Sequence, residues 1–426
     1  MNNNNNFLFY YNLMYNNKIL LFNNNFMNKN FLSFNNNNNL INNNNINNNN
    51  NNFKPPEPIS LFLKPTLIGL VNIGSTCFMN ATLQAFSQTK DLTNYFLDEK
   101  HWDRITNNNI ALRNKNDLQL VPAYLELLKN LWDKNNEKGN YAPRNFMETV
   151  EAMNPLFKLG QAGDAKDFII FFLEQLHKEL KNFPNNENND DQVNQYDQQK
   201  ALYFFLENFK NQASKISDIF YGIQENTNIC LYCKNYHSSQ GQPFPINYNY
   251  QVFNCLIFPL EEVRKMKNQN NLNKWPNNDE VSLDDCFNYN QKTDHFTGDN
   301  RNHCNICKQL WDSDYTTKIY SCPNVLILIL NRGRNNIFKV KLNFEETIEI
   351  TKYVSLKKGK IIYNLTGVIT HIGESGPNAH FVAFCKSPIN HKWYKYNDAF
   401  VDPVKDVKKE IIDYENPYVL FYKKVD

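Results

Sequence analysis

Apolar positions follow different rules in the two halves of the chain. From residue 76 to 182 they recur at helical spacing, in MNATLQAF, VPAYLELLKNLW and DAKDFIIFFLEQLHKEL, which predicts a mainly helical lobe. Thr76 stands where its side chain would cap the first helix. Beyond about residue 215 the pattern turns to segments rich in β-branched and aromatic residues, which predicts sheet. Those segments are YQVFNCLIFPL, TTKIYSC, NVLILIL, KVKLNF, IIYNLTGVITHI, HFVAFC and WYKYN.

Three polar segments interrupt these patterns. Residues 1–56 are dominated by asparagine and have no acidic residue before Glu57, so we expect a disordered head that builds no core. A targeting peptide is the alternative interpretation of its apolar patches and lysines, and the absence of arginine disfavours it. Residues 182–200 and 265–280 are polar enough to be loops.

Composition narrows the class of protein. Of 426 residues, 45 are basic and 43 acidic, which gives a net charge of +2 and disfavours nucleic acid or an anionic membrane as a partner. Apolar runs such as 325–330 are far shorter than the roughly 20 residues of a membrane helix. Nine cysteines are too few for a disulfide scaffold. We expect a soluble, monomeric protein of a reducing compartment, cytoplasmic and/or nuclear.

Cys77 is the first candidate for chemistry. It lies where a glycine-containing loop gives way to a helical pattern, in GLVNIGSTCFMNATLQAF. Free amide groups and the positive end of a helix dipole favour a thiolate there. Backbone amides near Cys77 and the side-chain amide of Asn72 can donate to an oxyanion. A lone cysteine before a helix is more often a small buried apolar residue.

His380, Asn397 and Asp398 supply the remaining parts of a thiol hydrolase. His380 begins a predicted strand after the turn-forming ESGPNA, where its ring would face outward as a general base. Asn397 can accept a hydrogen bond from the imidazole, and Asp398 can take the same role or orient Asn397. The alternatives are a structural histidine and an ordinary Asn-Asp turn.

Two C-x-x-C pairs predict a metal site. Cys230 and Cys233 form the first pair and Cys304 and Cys307 the second. Four thiolates in this arrangement match one tetrahedral, structural Zn²⁺ with no open position for substrate. A redox dithiol and unmetallated thiols are the alternatives, and we expect no catalytic cofactor.

These residues together resemble the ubiquitin-specific protease family of cysteine deubiquitinases, over about residues 66–424. The stretch 69–86 is similar to the family's cysteine box. The segments YNLTGVITHIGESGPNAHFVAF and KWYKYNDAFV are similar to its histidine box, and SDIFYGIQENTNICLYC leads into the first zinc knuckle as in the family. GDAKDF at 163–168 resembles the family's ubiquitin-facing helix, which carries the acidic pair onto Asp164 and Asp167.

The resemblance implies an α+β, papain-like fold shaped as an extended right hand. A helical thumb would span about 66–212, and a β-sheet palm with zinc-tipped β fingers about 213–424, with knuckles at 230–233 and 304–307. The implied function is that of a deubiquitinase, a ubiquitinyl hydrolase that cleaves the isopeptide or peptide bond after ubiquitin's C-terminal glycine. Ubiquitin and ubiquitinated proteins would be its partners.

The resemblance also implies a role for each site residue. Cys77 would be the nucleophile, His380 the general base and acid, Asn397 its orienting partner and Asn72 the oxyanion-hole donor. The position of Asp398 next to Asn397 predicts, independently of the resemblance, that it orients Asn397.

Several positions depart from the family's pattern. Ala379 and Phe381 replace a glycine and a tyrosine beside the base, and Asn397 replaces the commoner aspartate. LILNRG at 328–333 and Phe78 also differ. The added methyl of Ala379 lies where the channel for ubiquitin's tail would run. A catalytically weak or inactive ubiquitin-binding module is therefore an alternative function. A protease for a ubiquitin-like modifier is a further alternative.

Overall fold

The computed structural model describes ten stretches of the chain. They are residues 64–102, 120–133, 139–181, 195–210, 213–270, 280–332, 340–356, 359–373, 380–413 and 416–425. The asparagine-rich head predicted for 1–56 lies outside the described residues, and so does Ala379.

The described part of the chain contains ten α-helices. They are α1 Cys77–Ser87, α2 Lys90–Leu97, α3 Leu120–Leu131, α4 Arg144–Met153, α5 Ala165–Leu180, α6 Gln198–Lys210, α7 Lys215–Phe220, α8 Leu231–Ser239, α9 Leu260–Asn270 and α10 Leu283–Asn290. The first five occupy the region predicted to be helical, which confirms that prediction. Their buried faces carry leucine and aromatic side chains, because an amphipathic helix in water is stabilised mainly by packing its apolar face.

Strands dominate the second half, as predicted. In chain order they are β1 Gly69–Leu70, β2 Asn140–Tyr141, β3 Gly222–Cys230, β4 Asn247–Phe253, β5 Leu256–Pro259, β6 Glu280–Ser282, β7 Thr293–Phe296, β8 Asn302–His303, β9 Leu310–Trp311, β10 Ser313–Ser321, β11 Val325–Asn331, β12 Lys341–Asn343, β13 Thr347–Glu349, β14 Ile362–Ile372, β15 His380–Lys386, β16 Trp393–Asn397, β17 Phe400–Pro403 and β18 Pro417–Lys424. With the helices, these strands confirm the α+β class.

An eight-stranded sheet forms the palm. Its strand order is β17-β16-β15-β14-β18-β11-β5, with β13 paired to β14 outside this path. Successive residues of β11 enter two different hydrophobic cores: Val325 packs with the thumb helices and Leu326 with the core that contains α9 and α10. Both faces of this strand are therefore buried, which explains why its sequence is apolar without alternation.

A four-stranded sheet, in the order β4-β3-β10-β7, forms the fingers. Its strands run directly into the palm: β4 ends at Phe253 and β5 begins at Leu256, while β10 ends at Ser321 and β11 begins at Val325. The fingers therefore join the palm at the edge formed by β5 and β11.

Two local predictions were wrong. The segment 265–280 was predicted to be a loop, yet α9 continues to Asn270, because Leu260 and Val263 bury one side of that helix; residues 271–279 are not described. Thr76 occupies the N-cap position of α1 without a side-chain cap bond. Its hydroxyl instead accepts from the Ile73 amide, so the loop and not the helix uses it.

The loop predicted for 182–200 is tested only in part. Residues 182–194 lie outside the described stretches, and α6 begins at Gln198. Within the described stretches, no helix combines the length and apolar character needed to cross a bilayer.

Candidate active site and metal site

Cys77 lies at the junction between a tight loop and α1. The loop folds around the Asn72 side chain, whose Oδ1 accepts from the amides of Gly74 at 3.2 Å and Thr76 at 3.1 Å. Gly74 and Ser75 have φ values of 131° and 54°, a conformation that turns the chain sharply into the helix. Cys77 is the first helical residue and is only 9% exposed. Its thiol therefore sits by the unpaired amides and positive end of α1.

His380 and Asn397 meet across two neighbouring palm strands. His380 opens β15 and Asn397 closes the antiparallel β16. His380 Nε2 lies 2.6 Å from Asn397 Oδ1, and an amide oxygen can only accept, so Nε2 carries the proton. The second ring nitrogen, Nδ1, is left for the thiol.

The Cys77 and His380 side chains interact because α1 packs across β15. This interaction raises the pKa of His380 to about 9, against the lowering effect of burial, and the bond to Asn397 adds to the rise. A protonated imidazole beside a thiol favours the thiolate. His380 is therefore mainly the imidazolium at neutral pH.

The Asp398 carboxylate contacts Asn72 and Asn80 and does not orient Asn397 as predicted. It accepts from Asn72 Nδ2 at 3.0 Å and from Asn80 Nδ2 at 2.8 Å. Its negative charge adds only a minor part of the rise in the His380 pKa. Asp398 therefore fixes the orientation of the Asn72 side-chain amide. One proton of Asn72 Nδ2 is donated to Asp398, and the other remains free to donate.

Strand β1 clamps the turn that carries these residues. The Leu70 amide donates to the Asp398 carbonyl at 2.8 Å, and Asp398 has a φ of 49°. A Cβ built on Gly69 would lie 2.3 Å from the Ala399 carbonyl oxygen, so only glycine permits this approach. The loop before Cys77 and the turn after Asn397 are thereby held in contact.

The two acidic residues at the start of α5, Asp164 and Asp167, have different surroundings. Asp164 caps the helix by accepting from the Lys166 amide at 2.8 Å, and both its oxygens lie 2.7 Å from the Tyr418 hydroxyl. Asp167 keeps 40% of its side chain exposed, 3.5 Å from Lys166 Nζ. Asp167 is thus open to a partner's cation, whereas Asp164 is engaged within the fold.

The four predicted metal ligands come together at the end of the fingers. Cys230 ends β3 and Cys233 lies in α8, while Cys304 and Cys307 flank the turn between β8 and β9. Their sulfur atoms all lie within 4.8 Å of one another, and Cys233 Sγ is 3.7 Å from Cys304 Sγ. Tetrahedral Zn–S bonds place sulfurs about 3.8 Å apart. This cluster fits a metal ion.

Two further residues of the site, Asn80 and Tyr418, were not predicted from the sequence. Asn80, 1% exposed in α1, donates to the Leu70 carbonyl at 3.1 Å as well as to Asp398. An asparagine inside the apolar run MNATLQAF was the signal, since buried amides need partners. Tyr418, which donates to Asp164, could not be predicted, because a tyrosine in a strand rich in apolar residues is an ordinary packing residue.

The departures from the family pattern that the structure describes are packed into the fold. Phe78 is buried against Phe157 and Phe168, where a hydroxyl would need a partner. The Phe381 ring packs against His371. Arg332, within the 328–333 stretch, donates from Nε to the Pro417 carbonyl at 2.9 Å and from Nη1 to the Val340 carbonyl at 2.6 Å. Each of these three residues is thus accommodated by packing or hydrogen bonds within the fold.

Comparison with known protein families identifies the chain. The family model described as ubiquitin carboxyl-terminal hydrolase matches residues 68–422. The chain belongs to the ubiquitin carboxyl-terminal hydrolase family. This confirms the resemblance to ubiquitin-specific proteases seen in the sequence.

Curated members of the ubiquitin carboxyl-terminal hydrolase family show moderate identity. Ubiquitin carboxyl-terminal hydrolase 2 of Bos taurus is 26% identical over 365 residues, which cover 84% of this chain and 55% of that protein. Ubiquitin carboxyl-terminal hydrolase 21 of Homo sapiens is 26% identical over 85% of this chain and 62% of its own length. The chain thus spans little more than half the length of these relatives.

Solved structures with the same fold come from the SAGA DUB module. The Ubp8/Sgf11/Sus1/Sgf73 module bound to ubiquitin aldehyde matches with a TM-score of 0.60 and 21% identity, over 86% of this chain and 71% of that chain. A further structure of the Ubp8-Sgf11-Sgf73-Sus1 module matches with a TM-score of 0.56 and 19% identity, over 85% and 68%. This likeness confirms the right-hand fold of the family.

Proposed function

We propose that this chain is a deubiquitinase that hydrolyses the bond after ubiquitin's C-terminal glycine through a thioester on Cys77. The observation that carries the proposal is the connected series Cys77–His380–Asn397, assembled from α1, β15 and β16. The membership of the chain in the ubiquitin carboxyl-terminal hydrolase family supports the substrate class.

The first half of the proposed reaction forms the acyl-enzyme. The Cys77 thiolate attacks the carbonyl carbon of the terminal glycine, and the carbonyl oxygen becomes an oxyanion. Asn72 Nδ2 has one proton not given to Asp398, and together with backbone amides near Cys77 it donates to that oxyanion. His380 then gives its Nδ1 proton to the departing lysine amine, and the C–N bond breaks.

The second half releases ubiquitin. The imidazole, now neutral, takes a proton from water as that water attacks the thioester carbonyl. The C–S bond breaks and regenerates the Cys77 thiolate beside the His380 imidazolium, which keeps the proton taken from water. The product acid releases the second proton of water to solvent, and ubiquitin leaves with a free carboxylate. Asn397 keeps Nε2 protonated throughout, so that Nδ1 always faces the reaction.

We further propose that ubiquitin is gripped between thumb and fingers, with Asp167 facing a basic side chain. Its 40% exposed side chain and the engagement of Asp164 with Tyr418 favour Asp167 as the external contact.

The nine cysteines are all free thiols, which supports a reducing, intracellular location.

We also propose that the metal held by Cys230, Cys233, Cys304 and Cys307 is Zn²⁺. The donor set is four thiolates, and their spacing suits tetrahedral coordination. A bound Zn²⁺ would join the end of β3 to the β8–β9 turn and stiffen the fingers. It would supply no chemistry at Cys77, because the four ligands close its coordination sphere.

Replacing Cys304 by serine is expected to loosen the fingers while sparing the nucleophile. Metal content, measured on the purified protein by mass spectrometry, should fall from about one zinc per chain to well below one. KM for ubiquitin substrates should rise by about tenfold, and labelling of Cys77 by small iodoacetamide should keep its rate. Cys322→Ser, which changes a cysteine outside the cluster, should keep the zinc. A zinc-free wild type, or a Cys304→Ser variant with unchanged zinc, would contradict the site.

The deubiquitinase proposal is tested with the wild-type chain. Ubiquitin carrying a C-terminal electrophile should form a covalent adduct whose tryptic map places the bond on Cys77. A ubiquitin C-terminal fluorogenic substrate should be turned over. Ubiquitin binding without turnover would instead identify a binding module, and reaction only with probes built on other modifiers would redirect the substrate class.

A further inference from the structure

Phe400 is a large apolar residue placed beside the candidate active site. It opens β17 and is 72% exposed. In the antiparallel register it stands directly opposite Asn397. Opposed residues of an antiparallel pair project from the same face, with Cβ atoms about 5 Å apart. Since Asn397 turns its amide to His380, Phe400 lies beside the Asn397–His380 pair at this end of the palm.

The backbone next to Phe400 is held in place. The two residues between Asn397 and Phe400 are those clamped by β1, through the Leu70 amide and the close approach of Gly69 to Ala399. A ligand that contacts the ring therefore need not order this turn on binding.

The strand order indicates which part of a substrate would reach Phe400. The fingers join the palm at the edge formed by β5 and β11, while β17 is the opposite edge strand. Ubiquitin held by the fingers must bring its tail to Cys77 from the finger side. The polypeptide whose lysine carries ubiquitin is the leaving group, and it then lies beyond the scissile bond, toward β17.

We propose that Phe400 is a specificity-determining residue that packs against the acceptor polypeptide, on the leaving-group side of the scissile bond. The inference rests on the proposed deubiquitinase function. Its ligand is the substituted lysine and its neighbours: the four methylene groups of that side chain, with adjoining apolar residues, cover the ring as the isopeptide bond enters the site. Burial of such apolar surface favours binding in proportion to area.

The test compares a substrate with an acceptor polypeptide and a probe without one. The substrate is ubiquitin joined to the lysine Nε of a fluorescent peptide, followed by fluorescence polarisation. The probe is ubiquitin propargylamide, which labels Cys77 and carries no acceptor. Phe400→Ala should lower kcat/KM for the isopeptide substrate by about 5- to 30-fold and change the labelling rate constant by less than about twofold. Phe400→Leu should recover most of the loss.

A matched control removes an equally exposed aromatic ring elsewhere. Tyr203 is 67% exposed on α6, and Tyr203→Ala should leave the ratio of the two rate constants at its wild-type value. Equal losses with substrate and probe in Phe400→Ala, or no loss in either, would overturn the role assigned to Phe400. If wild type itself neither reacts with the probe nor cleaves the substrate, the proposed function is what fails.

Discussion

Cys77→Ala is expected to abolish turnover, with kcat on ubiquitin C-terminal substrates falling by about 10⁴-fold or more. Alanine keeps the N-terminal turn of α1 and removes only the sulfur, so the loss is chemical. Ubiquitin affinity, measured by calorimetry, should not weaken, because the binding surfaces of thumb and fingers are untouched. Fluorogenic hydrolysis beside calorimetry separates the two effects.

The matched control for Cys77→Ala is Cys255→Ala. Cys255 is also a free thiol, more exposed than the buried Cys77, and it lies between β4 and β5, outside the site. Its removal should leave both the hydrolysis rate and the probe adduct unchanged. Residual activity of Cys77→Ala near the wild-type level, or a probe adduct lost only in Cys255→Ala, would refute Cys77 as the nucleophile.

His380→Ala should lower kcat/KM by about 10³-fold and change the pH dependence of electrophile labelling. In wild type the pKa of His380 is raised to about 9, mainly by its interaction with Cys77, so the imidazolium is present at neutral pH. Without the imidazolium, labelling should be slow at pH 7 and climb steeply with pH, as for an unassisted thiol. Labelling rates between pH 6 and pH 10 measure this difference.

Stability offers a second readout of His380. A group whose pKa is raised on folding stabilises the protein fully below its unfolded value, about 6.5. This contribution is lost as pH rises through about 9. Wild type should therefore lose more thermal stability than His380→Ala between pH 6.5 and 9.5. His391→Asn, at an exposed position with φ of 58°, is the control and should behave as wild type. An unchanged labelling profile in His380→Ala would exclude the pairing.

Local pattern was sufficient to predict the elements that carry the chemistry. The helical spacing that begins at Cys77 located the start of α1, and the β-branched and aromatic run HFVAFC located β15 with His380 at its first residue. These signals are strong because burial imposes a period of 3.6 on a helix and of 2 on a strand. The paired C-x-x-C units likewise carry their ligand chemistry in their spacing.

What sequence pattern could not predict depends on how distant segments close on each other. Asp398 was expected behind Asn397, yet its carboxylate binds Asn72 and Asn80, because β1 crosses the turn that follows β16. No local period records that crossing. Helix α9 was missed for a different reason: its polar, asparagine-containing sequence is held helical by a few buried residues such as Val263, and tertiary packing overrides weak propensity.

The contact between Asn72 and Asp398 joins residues 326 positions apart in the chain. A polypeptide emerging from the ribosome therefore exposes its reactive cysteine long before the carboxylate, the asparagine and the imidazole that complete the site have been made. During that interval no imidazole is present to take the proton of the Cys77 thiol. The proposed activity would thus be absent throughout synthesis and arise only when the last palm strands pack against the first loop. Fragments that stop before β15 should persist as inert thiols and not as unregulated proteases.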